Sequence, residues 1–230
     1  MIGIVVQLTL SWLIIWWFDK GNLSVLGWQP TVVRLRHFLL FSLVTSACCA
    51  SGFGLRIYAG QEIWERNPAL TMNQTLSAIG WNIKSVLFEE LIFRGALFYI
   101  LWKKLGATKA MIISSTAFGI YHWFSQELWG NTTQMVIVFL LTGIMGMVYA
   151  YGYIKTKSLY VPCAIHFGWN ITQGFVFSHG SIGNGVFMPA LEQPHAVTLS
   201  YLTYGIITFS PLLSSWLFNY LLLSRSNDAK

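Results

Sequence analysis

The chain predicts an all-α fold, a polytopic transmembrane helical bundle of about seven spans (six to eight fit), and three observations predict it. Of its 230 residues 55% are hydrophobic and only 10% charged, against ~25% charged in an average soluble domain. The apolar residues are gathered into runs of roughly 20, the length that crosses a bilayer as a helix. These runs are continuous rather than alternating, which argues against a β-barrel. The net charge is +6, from 14 Lys+Arg against 8 Asp+Glu. Most basic residues sit in short loops and none form a face interleaved with aromatics, so the expected partner is the lipid bilayer and not nucleic acid.

Residues 1–18 form the first span. They lack a basic leading region and a small-residue cleavage site, so a retained helix is expected rather than a signal peptide. A loop with Lys20, Arg34 and Arg36 leads to a second span at 38–58, where Ser46, Ala50 and Gly54 recur every four residues and permit close helix contact. Residues 59–81 are polar and predict a surface loop or short interfacial helix, with Trp64 and Trp81 in the headgroup belt. The third span is 83–102 and the fourth 108–124. The fifth, 134–154, carries a second small-residue stripe at Thr142, Gly146 and Ala150. The sixth, 159–177, has Pro162 in its first turn, where proline is tolerated. After a loop at 178–196 the seventh span, 197–223, contains Pro211, which predicts a kink or tilt. Cys48, Cys49 and Cys163 lie in apolar runs without a CxxC pair and are expected to be packing residues.

With seven spans, ten of the 14 basic residues fall on one side: Lys20, Arg34, Arg36, Lys103, Lys104, Lys109, Lys155, Lys157, Arg225 and Lys230. The positive-inside rule then predicts an outside N-terminus and a cytoplasmic C-terminus in a multi-pass cell-membrane protein.

The third span holds Glu89, Glu90 and Arg94 in its middle. Each charge near the bilayer centre costs ~2.5–3.5 kcal/mol on insertion scales, so the three are expected to face a wet, protein-lined interior. Glu90 and Arg94 are four apart on one helical face and suit an internal ion pair. Glu89 is rotated ~100° away and is left free to work. Two adjacent carboxylates also resist being ionised together. Phe118 and His122 share a face at the end of the fourth span, and His166 and Asn170 share one on the sixth. Each pair alone reads as structural. Together, the polar groups could meet in one cavity in the outer half of the membrane, with the parts for water attack on a carbonyl: a base, a carboxylate and an amide N–H for an oxyanion. No HExxH or nucleophile motif is present.

Glu89-Glu90-Leu-Ile-Phe-Arg94 matches EExxxR, Phe118-Gly-Ile-Tyr-His122 matches FxxxH, and His166-Phe-Gly-Trp-Asn170 matches HxxxN. In that order, on successive membrane helices, they resemble the CAAX protease and bacteriocin-processing (CPBP, or Abi) family of intramembrane endopeptidases. The resemblance covers residues 83–177. It implies 1–81 as N-terminal spans and loop, 82–178 as a catalytic core, and 179–230 as loop, last span and tail. It further implies that Glu89 and His122 activate water, that Glu90 and Arg94 support the site with Phe118 as the aromatic of its motif, and that His166 and Asn170 hold the oxyanion. The expected substrates are membrane-associated, prenylated or exported peptides and proteins, and a bacterial origin is expected.

The family was long described as metallopeptidases, and Glu89, His122 and His166 could form a three-ligand zinc site. Asn170 is a poor zinc ligand and a good oxyanion donor, so metal-free hydrolysis is favoured. From a different class, a non-enzymatic immunity or transport protein would also place ionisable groups in the membrane. Eukaryotic CAAX proteases cut tails on the cytosolic side, whereas the charge count opens this cavity outward. Either the span count differs from seven, or this member handles another substrate, such as an exported peptide or a membrane protein.

Overall fold

The computed structural model describes residues 2–178, 185–190 and 198–225. Among them eight α-helices follow in order: α1 (Ile2–Asp19), α2 (Val32–Gly60), α3 (Met72–Arg94), α4 (Ala96–Leu105), α5 (Ala107–Ser125), α6 (Thr132–Thr156), α7 (Tyr160–Ile171) and α8 (Tyr201–Arg225). Two short strands, β1 (Trp64–Arg66) and β2 (Phe187–Pro189), pair antiparallel with Glu65 opposite Met188. Val197, Lys230, part of the 178–196 loop and the tail beyond Arg225 lie outside the described residues.

The expected third span, 83–102, is not one helix. Its helix begins earlier, at Met72, because Thr71 and Gln74 form a reciprocal cap: the Thr71 hydroxyl accepts the Gln74 N–H and the Gln74 side chain accepts the Thr71 N–H. Within 59–81, expected as a surface loop or short interfacial helix, the residues from Met72 on are therefore helical. The helix then stops at Arg94, and Gly95 links it to α4. A Cβ at position 95 would lie 2.1 Å from the Leu91 carbonyl oxygen, so the bend is open only to glycine. It falls directly after the buried arginine.

Four helices, α1, α2, α6 and α8, are by length and composition able to cross a membrane. The motif-bearing segments are shorter or more polar. The 12 residues of α7 rise about 18 Å, against ~30 Å of hydrocarbon, and the chain continues as a single wide π-type turn at Thr172–Val176. One end of the bundle is marked by Asp19, which accepts from the Tyr99 hydroxyl at 2.5 Å and pairs with Lys103. The Leu26 carbonyl receives the Leu159 N–H at that same end. At the other end, Phe53 and Phe177 stack with ring centroids 4.3 Å apart, and Trp64 packs edge-on against both.

Helices α2 and α7 run in very close contact. Ser42 donates to the Ala164 carbonyl and Ser46 to the Gly168 carbonyl. The small-residue stripe differs from expectation: Gly54 faces open space, while Gly52 receives the ring of Pro211 from α8. Helix α8 runs through Pro211 without ending. A Cβ on Gly168 would meet the Ser42 carbonyl oxygen at 2.4 Å. Replacing Gly168 by Ala is therefore expected to push α7 off α2 and destabilise the protein by ~1–3 kcal/mol, the usual range for overpacking. A lower melting temperature in detergent checks this, and an unchanged one would show that the two helices can part freely.

Candidate active site

The site is built around a charge that the interior must satisfy. Arg94 and Glu90 are both fully buried, and their side chains meet at 3.3 Å, one helical turn apart. The guanidinium also donates to the Gly146 carbonyl of α6 at 3.0 Å. It lies over the Phe118 ring at 4.4 Å and the Tyr149 ring at 5.0 Å. A buried cation is tolerable only with such partners, and an aromatic face supplies attraction without a second charge. This explains an aromatic at Phe118. It also explains a glycine at 146, where a Cβ would stand 3.0 Å from the Arg94 nitrogen.

Glu90 has a second partner that residue spacing did not reveal. Its Oε1 lies 2.7 Å from His166 Nδ1, so one carboxylate links the arginine of α3 to the histidine of α7. With Nδ1–H donated to Glu90, His166 keeps Nε2 as its other polar atom, 3.8 Å from Glu89 Oε2. Tyr149 stacks on the same imidazole, centroids 5.0 Å apart and planes 15° from parallel. The ring is thus held from one edge and one face.

Glu89 stands differently. Its side chain is 14% exposed, against 0% for Glu90, and its Oε2 has no hydrogen-bond partner. His122 Nδ1 sits 2.8 Å from the Phe118 carbonyl oxygen of its own helix. A carbonyl only accepts, so Nδ1 carries the proton and Nε2 is the free base.

Glu89, His122, His166 and Asn170 line one cavity of about 520 Å³. All four expected site residues are therefore brought together, from three helices. Glu90, Arg94 and Phe118 lie behind that surface, as the buried ion pair and its aromatic support. The cavity wall also contains Asn82, Ser85, Tyr121, Gln126 and Gln173, none of which was singled out from sequence. Among the described residues, no group of three His, Cys, Asp or Glu side chains is placed to hold a metal ion. Glu89, His122 and His166 all line the one cavity, with His166 Nε2 3.8 Å from Glu89 Oε2.

Residues 71–172 match the family described as type II CAAX prenyl endopeptidase Rce1-like, a segment that includes every residue just named except Gln173. A Bacillus subtilis (strain 168) protein named "Putative membrane peptidase YdiL" is 34% identical over 89 residues. That match takes in 39% of this chain and 32% of the relative, so the chain spans about a third of the relative's length. No solved structure matches the chain at a significant level.

Proposed function

We propose that this chain is an endopeptidase of the CAAX protease and bacteriocin-processing family that hydrolyses peptide bonds within or at the membrane, a reading supported by the match of residues 71–172 to the Rce1-like family. The observation that carries this reading is the shared cavity of Glu89, His122, His166 and Asn170, in which Glu89 is the one carboxylate not spent on Arg94.

Glu89 accepts a proton from a water molecule, with His122 Nε2 as the neighbouring acceptor that orients it. The water oxygen attacks the scissile carbonyl carbon. The Asn170 amide donates to the oxygen that becomes negative, and His166 joins it through Nε2 in the doubly protonated form of the ring, which Glu90 steadies by accepting from Nδ1. The C–N bond then breaks, and the proton taken from water passes to the leaving amine. One carboxylate and one amine product result.

No metal enters this scheme. Asn170 supports this reading, since a side-chain amide is a poor zinc ligand and a good oxyanion donor. Reconstituted protein is therefore expected to cleave undiminished in strong chelator and to purify without stoichiometric zinc. Zinc near one per chain, lost together with activity, would replace this mechanism by a metallopeptidase one.

The setting is a bacterial cell membrane, with the N-terminus outside. Lys20 and Lys103 fall at the Asp19 end of the bundle, the end assigned to the cytoplasm. His122 and Asn170 lie toward the opposite ends of their helices, so the cavity opens outward and receives exported or membrane-bound peptide segments. Comparing membrane-associated peptides from wild-type and Glu89→Gln cells identifies the substrate. Identical peptide ends in both would reject the peptidase reading.

A further inference from the structure

A second chamber of about 240 Å³ lies behind the reacting groups, among α5, α6, α7 and α8. His122, His166 and Asn170 form part of both its wall and that of the main cavity. Its far side is made by Val138, Leu141, Met145 and Leu212. Two polar groups on this side are already used, since the Thr142 hydroxyl donates to the Val138 carbonyl and Trp169 Nε1–H donates to Gln173, while Gln126, Gln173 and Thr208 add polar atoms at its edge. A guest therefore meets a continuous apolar wall along Val138, Leu141, Met145 and Leu212.

The volume sets the size of that guest. A cavity of ~150 Å³ already holds benzene, while sites for drug-sized ligands begin at ~300 Å³. One large side chain fits and a long lipid chain does not. We propose that this chamber is a specificity pocket for a single large apolar substrate side chain, Leu, Met or Phe, next to the bond that is cut. The proposal rests on the peptidase reading above and adds which peptides are chosen. Thr208 and Leu212 reach the pocket from α8, outside the family-matched segment. Selectivity is thus set partly by a helix that does not carry the reacting groups.

The test uses the full chain reconstituted in liposomes with a proteome-derived peptide library, and reads the new ends by mass spectrometry. Wild type is expected to enrich Leu, Met and Phe at one position flanking the cut. Thr208→Phe fills the pocket and is expected to lower cleavage of those peptides at least about tenfold relative to peptides with Ala there, the scale of discrimination by a hydrophobic pocket. Leu141→Ala widens it and is expected to admit Trp. Because this second variant only removes atoms, it decides the matter if the first fails to fold. Wild-type preference retained in the folded variants, or no apolar preference at any flanking position, overturns the proposal while leaving the peptidase reading intact. Absence of any Glu89-dependent cleavage by wild type sinks that reading, and the pocket with it.

Discussion

Glu89→Gln is expected to lower peptide hydrolysis by ~10²–10⁴-fold, the range lost when a general base is removed, with the protein still folded. The substitution keeps shape and replaces only the oxygen pair that can take a proton. Folding should survive because the Glu89 carboxylate is not the partner of Arg94: Glu90 holds that place at 3.3 Å, and Glu89 Oε2 has no hydrogen-bond partner. Turnover on a reconstituted substrate together with a detergent melting curve separates the two effects. Wild-type turnover in a folded variant would remove Glu89 from the chemistry.

Arg94→Ala should act through stability instead. It leaves Glu90 without its cation in a fully buried position, a change that typically costs ~3–5 kcal/mol. The expected result is a large fall in melting temperature, or failure to accumulate in the membrane. A paired replacement, Glu90→Leu with Arg94→Met, removes both charges and is expected to recover most of the stability. Activity should not recover with it, since His166 Nδ1 then has no carboxylate to hold its ring. An Arg94→Ala protein as stable as wild type would mean that the ion pair is dispensable.

The residues of the site were legible because its chemistry follows helical spacing. Glu90 and Arg94, Phe118 and His122, and His166 and Asn170 are each four apart, and each pair does share a face. Extending those faces by about one more turn would have reached Ser85 before Glu89, Gln126 after His122 and Gln173 after Asn170, all of which line the cavity. The bond from Glu90 to His166 joins residues 76 apart, and spacing on one helix carries no information about that. The break at Gly95 was hidden for a related reason. Hydropathy is continuous across it, and only the near approach of position 95 to the Leu91 carbonyl reveals the bend. The strand pair at Trp64–Arg66 and Phe187–Pro189 is too short to show alternation, so residues 59–81 read as a surface loop or short interfacial helix with no strand.

During synthesis, α3 leaves the ribosome with Glu90 and Arg94 able to pair only with each other. Gly146 and His166, which take up Arg94 and Glu90, follow 52 and 76 residues later. Until they arrive, the segment faces a translocon or lipid environment in which each exposed charge costs ~2.5–3.5 kcal/mol. The surroundings of the α3 charges are therefore complete only once α6 and α7 have docked. A chain truncated before α7 would leave Glu90 with its Arg94 partner but without the His166 ring that it holds in the full chain.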